Sequence, residues 1–186
     1  MEDYIGAKIT KRLYTIIETK VVEMFKRNNV SSLPINPIDI LQKEGHHVKK
    51  VKNLEFILKD DEEIVSEDNN IDAITLKNNR TGKYYIAYVE TTDERVRFSL
   101  MHELGHIDMK HEHESDLAKQ VANYYAAYAC APTPLMYKKE VDGPQQISEK
   151  FGISFEAAMR CFDRYVNWSI YGGPLKTYEK ELMDMF

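Results

Sequence analysis

The chain is predicted to fold as an α+β protein, a small antiparallel sheet packed on helices with a C-terminal helical segment. Three observations lead there. Ile9, Leu13, Ile16, Ile17, Val21, Met24 and Phe25 recur at helical spacing. Residues 71–77 (IDAITLK) and 84–90 (YYIAYVE) are strand-like runs flanking the turn sequence NNRTG, a hairpin pattern. Residues 99–111, SLMHELGHIDMKH, place apolar side chains around a polar trio at the helical period. With 186 residues, 43% of them hydrophobic, the chain can bury one sizeable core. We divide it into a sheet-bearing domain over 1–140 and a helical segment with a tail over 141–186, packed on that domain.

Taken in order, the first helix ends near Asn28 and Asn29. A loop, a short helix opened by Pro37, a stop at Gly45 and a strand come next. The acidic run 59–70 reads as a solvated loop before the hairpin. The motif helix spans about 93–110, with Asp93 as its N-cap, and a second helix covers about 115–130 and stops at Ala131-Pro132-Thr133-Pro134. Beyond a turn at Asp142-Gly143-Pro144, short and long helices are expected near 147–151 and 155–168, and 169–186 reads as an appendage. Tyr124, Tyr125 and Tyr128 are spaced as core and rim aromatics of a helix.

Composition narrows the function classes. A net charge of -5 supplies no general attraction to phosphate backbones. Cys130 and Cys161 sit in predicted helices beside small or apolar neighbours, which suits reduced core thiols and offers no Cys-x-x-Cys metal pair. The first residues, MEDYIGAKITKR, lack a basic region followed by an apolar run, and no window approaches the ~20 apolar residues of a membrane span. A cytoplasmic protein without membrane contact is the expectation.

The chemistry lies in His102-Glu103-Leu104-Gly105-His106. Histidines at i and i+4 of a helix sit one turn apart, so both imidazoles can reach one ion. Glu103 is offset from them and can instead take a proton from a metal-activated water. Zinc is the natural metal for imidazole and carboxylate ligands, and peptide hydrolysis is the expected reaction. Phe98, Leu100, Met101, Leu104 and Ile107 frame the trio, and a half-buried helix gains nothing from two histidines and a glutamate unless they are used.

Residues 95–111 (RVRFSLMHELGHIDMKH) and the following ESDLAKQVANYYAAYACAPTPL resemble the ImmA/IrrE zinc peptidases, whose second helix commonly carries alanine, asparagine and an aromatic residue and ends in a proline. That resemblance implies a zincin-like fold, one zinc ion and a protein substrate or partner, typically a transcriptional repressor of bacteria, phages or mobile elements. It also implies a third ligand, a glutamate, at the position of Lys119, and a lysine ammonium cannot coordinate zinc.

Three readings fit that replacement. Asp116 substitutes from one turn earlier on the same helix; Glu112, His113 or Glu114 swings in from the connection; or metal binding is lost and the fold persists as a protein-binding module. His111 does not match the third histidine of another zinc class, because Asp108, Met109 and Glu112 break that class's pattern. We place it at the helix end, facing the C-terminal dipole. Residues 147–166 offer a DNA-binding alternative, a helix pair with Arg160 and Arg164 on one face. Phe155, Met159, Phe162 and Val166 spread around that helix, and Glu156 and Asp163 oppose phosphate contact. Tyr84, Tyr85 and Lys119 are candidate oxyanion donors, and a peptide is expected to add a strand along the edge of the sheet that includes 84–90.

Overall fold

The computed structural model describes residues 8–52, 54, 62–67, 72–111 and 115–186, with 62–67 described as backbone. Helix α1, Lys11–Asn28, opens where the Thr10 side chain accepts from the Leu13 N–H and closes on Asn29 in the left-handed region at φ 53°. Its inner face buries Ile17, Val21, Met24 and Phe25. Asn36 caps α2, Pro37–Lys43, by accepting from the Ile38 and Asp39 N–H groups. Four strands follow: β1 His47–Val51, β2 Glu62–Glu67, β3 Ala73–Asn78 and β4 Tyr84–Val89. The remaining helices are α3 Asp93–Asp108, α4 Asp116–Cys130, α5 Thr133–Lys138, α6 Pro144–Phe151, α7 Phe155–Tyr171 and α8 Thr177–Met185.

The strands form one sheet in the order β1-β4-β3-β2. The α+β class and the β3–β4 hairpin are as expected, but the sheet is mixed rather than wholly antiparallel, because β1 runs parallel to β4. A parallel pair needs a long crossover, and β2 and β3 supply it. A pattern read from sequence neighbours finds the hairpin and misses this long-range pair. The acidic run expected as a loop contains β2, paired antiparallel with β3 at the sheet edge. Residues 59–61 and 68–70 of that run lie outside the described residues.

Alternation along β3 and β4 gives the sheet two apolar faces. Ala73, Tyr84, Ile86 and Tyr88 join the main core shared with the helices, whereas Ile74, Leu76, Tyr85 and Ala87 form a second cluster. Tyr85 is therefore on the face away from α3 and is no oxyanion candidate, while Tyr84 stacks edge-on to His46. Because β4 lies between β1 and β3, the edges of this sheet are β1 and β2 rather than the strand 84–90 itself.

The C-terminal third is integrated rather than appended. Tyr178 and Leu182 of α8 are buried in the same core as Ile17 and Phe25 of α1. Tyr124 and Tyr178 both donate to the Glu18 carboxylate, tying α4 and α8 to α1. Helix α5 was missed because Pro132 and Pro134 read as a stop; at a helix start a proline's missing N–H costs nothing. In α7, Arg164 Nη2 donates to Ala131 O at 2.8 Å and so satisfies the carbonyl end of α4. Arg160 pairs with Glu156 at 3.1 Å on the surface. Phe155, Met159 and Val166, expected to spread around this helix, are exposed together, at 52%, 51% and 36%. Cys130 and Cys161 are free, buried thiols as expected, and burial pushes the Cys130 thiol up to about 12. Among the described residues no helix is long and apolar enough to cross a membrane.

Candidate metal centre

Helix α3 is positioned from both ends. Its N-cap is Thr92, whose hydroxyl oxygen accepts from the Arg95 N–H, and not Asp93; Asp93 and Glu94 instead occupy the first turn, where their charge suits the positive end of the helix dipole. At the other end Lys110 adopts φ 56°, the Lys110 N–H donates to Ile107 O and the His111 N–H donates to His106 O at 3.0 Å. This is a Schellman closure with lysine where glycine is usual. It turns the chain back over the helix it has just left.

The eight consecutive residues 99–106 are all buried, between the sheet on one side and α4 on the other. Gly105 permits the approach of α4, since a Cβ there would lie 3.2 Å from Ala122 Cα. His102, Glu103 and His106 have no solvent exposure. Three charged or polar side chains in one fully buried helical turn cost several kcal/mol unless their polar atoms are engaged.

The two imidazoles face each other through their Nε2 atoms, 3.1 Å apart. Their other nitrogens are held from outside: His102 Nδ1 lies 2.9 Å from Asn123 Oδ1 of α4, and His106 Nδ1 lies 3.2 Å from His111 Nδ1. Two nitrogens bound to one tetrahedral zinc ion at 2.0–2.1 Å are about 3.3 Å apart, so the pair fits that ion. An outer hydrogen bond on each ligand is also what metal-binding histidines require. Burial lowers the pKa of His111, keeping its ring neutral near pH 7 and able to accept a hydrogen bond.

His111 is thus a correction. It does not face the helix dipole as a cation, because α3 ends at Asp108 and the Schellman turn brings the ring back onto His106. Nor does it converge with the pair, since it contacts the nitrogen of His106 opposite the one that faces His102. Asn123 was missed as a site residue, although Ala122-Asn123-Tyr124 carried part of the family pattern.

Asp116 occupies the exposed first turn of α4. Glu112, His113 and Glu114 lie outside the described residues. Among the described residues no group of three or more His, Cys, Asp or Glu side chains is placed to hold an ion. Lys119 is partly buried in α4, one turn before Asn123.

The family model Peptidase_M78, described as the IrrE N-terminal-like domain, matches residues 60–161. That stretch includes β2 to β4, the whole of α3 to α6 and the start of α7. No curated protein and no solved structure matches the chain.

Proposed function

The chain belongs to the family of the IrrE N-terminal-like domain, and from that premise we propose that it is a zinc-dependent peptidase of the cytoplasm that cleaves a regulatory protein, a transcriptional repressor of bacterial or phage origin. One observation supports this above the others. Two wholly buried imidazoles oppose their Nε2 atoms at 3.1 Å while their Nδ1 atoms are held by Asn123 and His111. A helix built only for packing has no use for that arrangement.

His102 and His106 hold the ion. When bound, zinc makes its water acidic enough to lose a proton near pH 7. Glu103 carries the proton, accepting it at its carboxylate from the attacking water and returning it to the leaving amine. For the third ligand, Asp116 lies two turns before Asn123 on the same face of α4, and the link 112–114 is the other source. Zinc affinities of Asp116→Asn and Glu114→Gln distinguish them, the true ligand costing the greater loss. Because α3 packs against β2, β3 and β4, we place substrate along the outer edge of β2, which no strand covers among the described residues, where it adds a strand through backbone hydrogen bonds. A bound-peptide structure without contact to β2 rejects that placement.

Lys119, where the resemblance implies a glutamate ligand, supports a second reading, a partner-binding protein that does not cleave. Incubation of purified protein with candidate repressors, with and without zinc, separates the two. A peptidase cleaves only with zinc, and Glu103→Gln lowers the rate by about 10²–10⁴-fold while leaving partner capture intact. Equal capture by both proteins with cleavage by neither establishes the binding role.

A further inference from the structure

We propose that His111 is a tautomer relay for the metal pair, a positioning residue that donates to His106 when no ion is bound and accepts from it when one is. Its use rests on the zinc reading above; its geometry does not. His102 Nδ1 faces Asn123 Oδ1, an amide oxygen that can only accept, so His102 carries its proton on Nδ1 and turns a lone pair on Nε2 toward His106. His106 touches another imidazole on each side, at 3.1 Å through Nε2 and at 3.2 Å through Nδ1. A neutral imidazole has one N–H, which can face either of these two contacts.

Without an ion, the Nε2–H of His106 donates to His102 and the Nδ1–H of His111 donates to His106, which satisfies both contacts. With an ion between the Nε2 atoms, His106 must carry its proton on Nδ1. The proton then crosses from His111 Nδ1 to His106 Nδ1, His111 Nε2 takes one from solvent, and the proton displaced from His106 Nε2 leaves. Two N–H bonds break and two form, one proton is taken from solvent and one returned, and neither ring changes charge. His111 is suited to this because a neutral imidazole both donates and accepts, and because the Schellman turn at Lys110 brings its Nδ1 against the His106 ring. Being only partly buried, its ring can exchange with solvent while the pair itself is sealed.

Ring-15N-labelled histidine in the full, untagged chain reads the relay directly. Long-range 1H–15N spectra near neutral pH are expected to show His106 as Nε2–H and His111 as Nδ1–H in chelator-treated protein. One equivalent of zinc should convert both, to Nδ1–H at His106 and Nε2–H at His111. A His111 tautomer identical in the two states, or His106 already Nδ1–H without zinc, overturns the relay and leaves the metal site standing. Failure to bind zinc at all, with His102→Ala indistinguishable from the parent chain, removes both.

Variants give an independent readout in zinc affinity. His111→Gln keeps a donor and an acceptor and should bind within a factor of about 3 of the parent, whereas His111→Leu should lose about 10–100-fold. Equal affinities of the leucine and glutamine variants contradict the relay. The spectra of the unsubstituted chain decide the matter if the leucine variant fails to fold.

Discussion

Gly105 of α3 lies directly against Tyr125 of α4: a Cβ built on the glycine would sit 3.1 Å from Tyr125 Cβ. The same added atom would be 3.2 Å from Ala122 Cα. Backbone and Cβ atoms cannot rotate out of the way, so the two helices must separate by a few tenths of an ångström to admit it. Gly105→Ala is therefore expected to destabilise the fold by about 1–2 kcal/mol, overpacking outweighing the gain of up to about 1 kcal/mol in helix propensity. Chemical denaturation measures this. Zinc affinity should fall in the same variant, because Asn123 on α4 moves away from His102.

Thr75 marks a buried polar atom without use. Its hydroxyl has no hydrogen-bond partner among the described residues, in the middle of β3 opposite Ile86. Thr75→Val keeps the shape and removes the stranded group, so a gain of about 1 kcal/mol is expected in urea or guanidinium unfolding. A loss instead would mean that the hydroxyl is satisfied in solution.

Acid should weaken the fold before carboxylates titrate. Burial lowers the pKa of His46, and Glu44 and Asp108 push it upward without overcoming that. Because the unfolded chain takes up this proton first, below about pH 6.5, the stabilisation is complete above that value. It is lost progressively as pH falls toward the lower folded value. His111 is shifted the same way by burial. His46→Phe, which retains a ring against Tyr84, is expected to flatten the stability profile between pH 7.5 and 5 relative to the parent. Parallel profiles for the two proteins contradict the assignment.

Local patterns made most elements legible: the periodicity of α1, Pro37 at the start of α2, the hairpin turn and the His-Glu-x-x-His helix each reside in a short window. What was hidden depends on partners distant in the chain or on residues in unusual roles. The parallel β1–β4 pair joins strands more than thirty residues apart and has no local signature. The end of α3 was placed late because Lys110, not glycine, takes the left-handed position, and this in turn concealed where His111 goes. The acidic content of 62–67 suggested solvent, and at an edge strand it is compatible with both. Arg164 looked like a surface cation, and only the approach of α7 to the end of α4 turns it inward. At the candidate metal centre, His102, Glu103 and His106 are singled out by spacing alone, whereas the contact of Asn123 with His102 required knowing that α4 lies across α3 at Gly105.

Elemental analysis of untagged protein, purified without chelator and compared with His102→Ala, bears most directly on the opposed imidazole pair. About one zinc ion per chain in the parent protein, and a loss of most of it in the variant, is the expected result. A parent chain that retains no transition metal, and takes up none when zinc is supplied, would contradict the assignment of His102 and His106 as ligands and with it the peptidase chemistry.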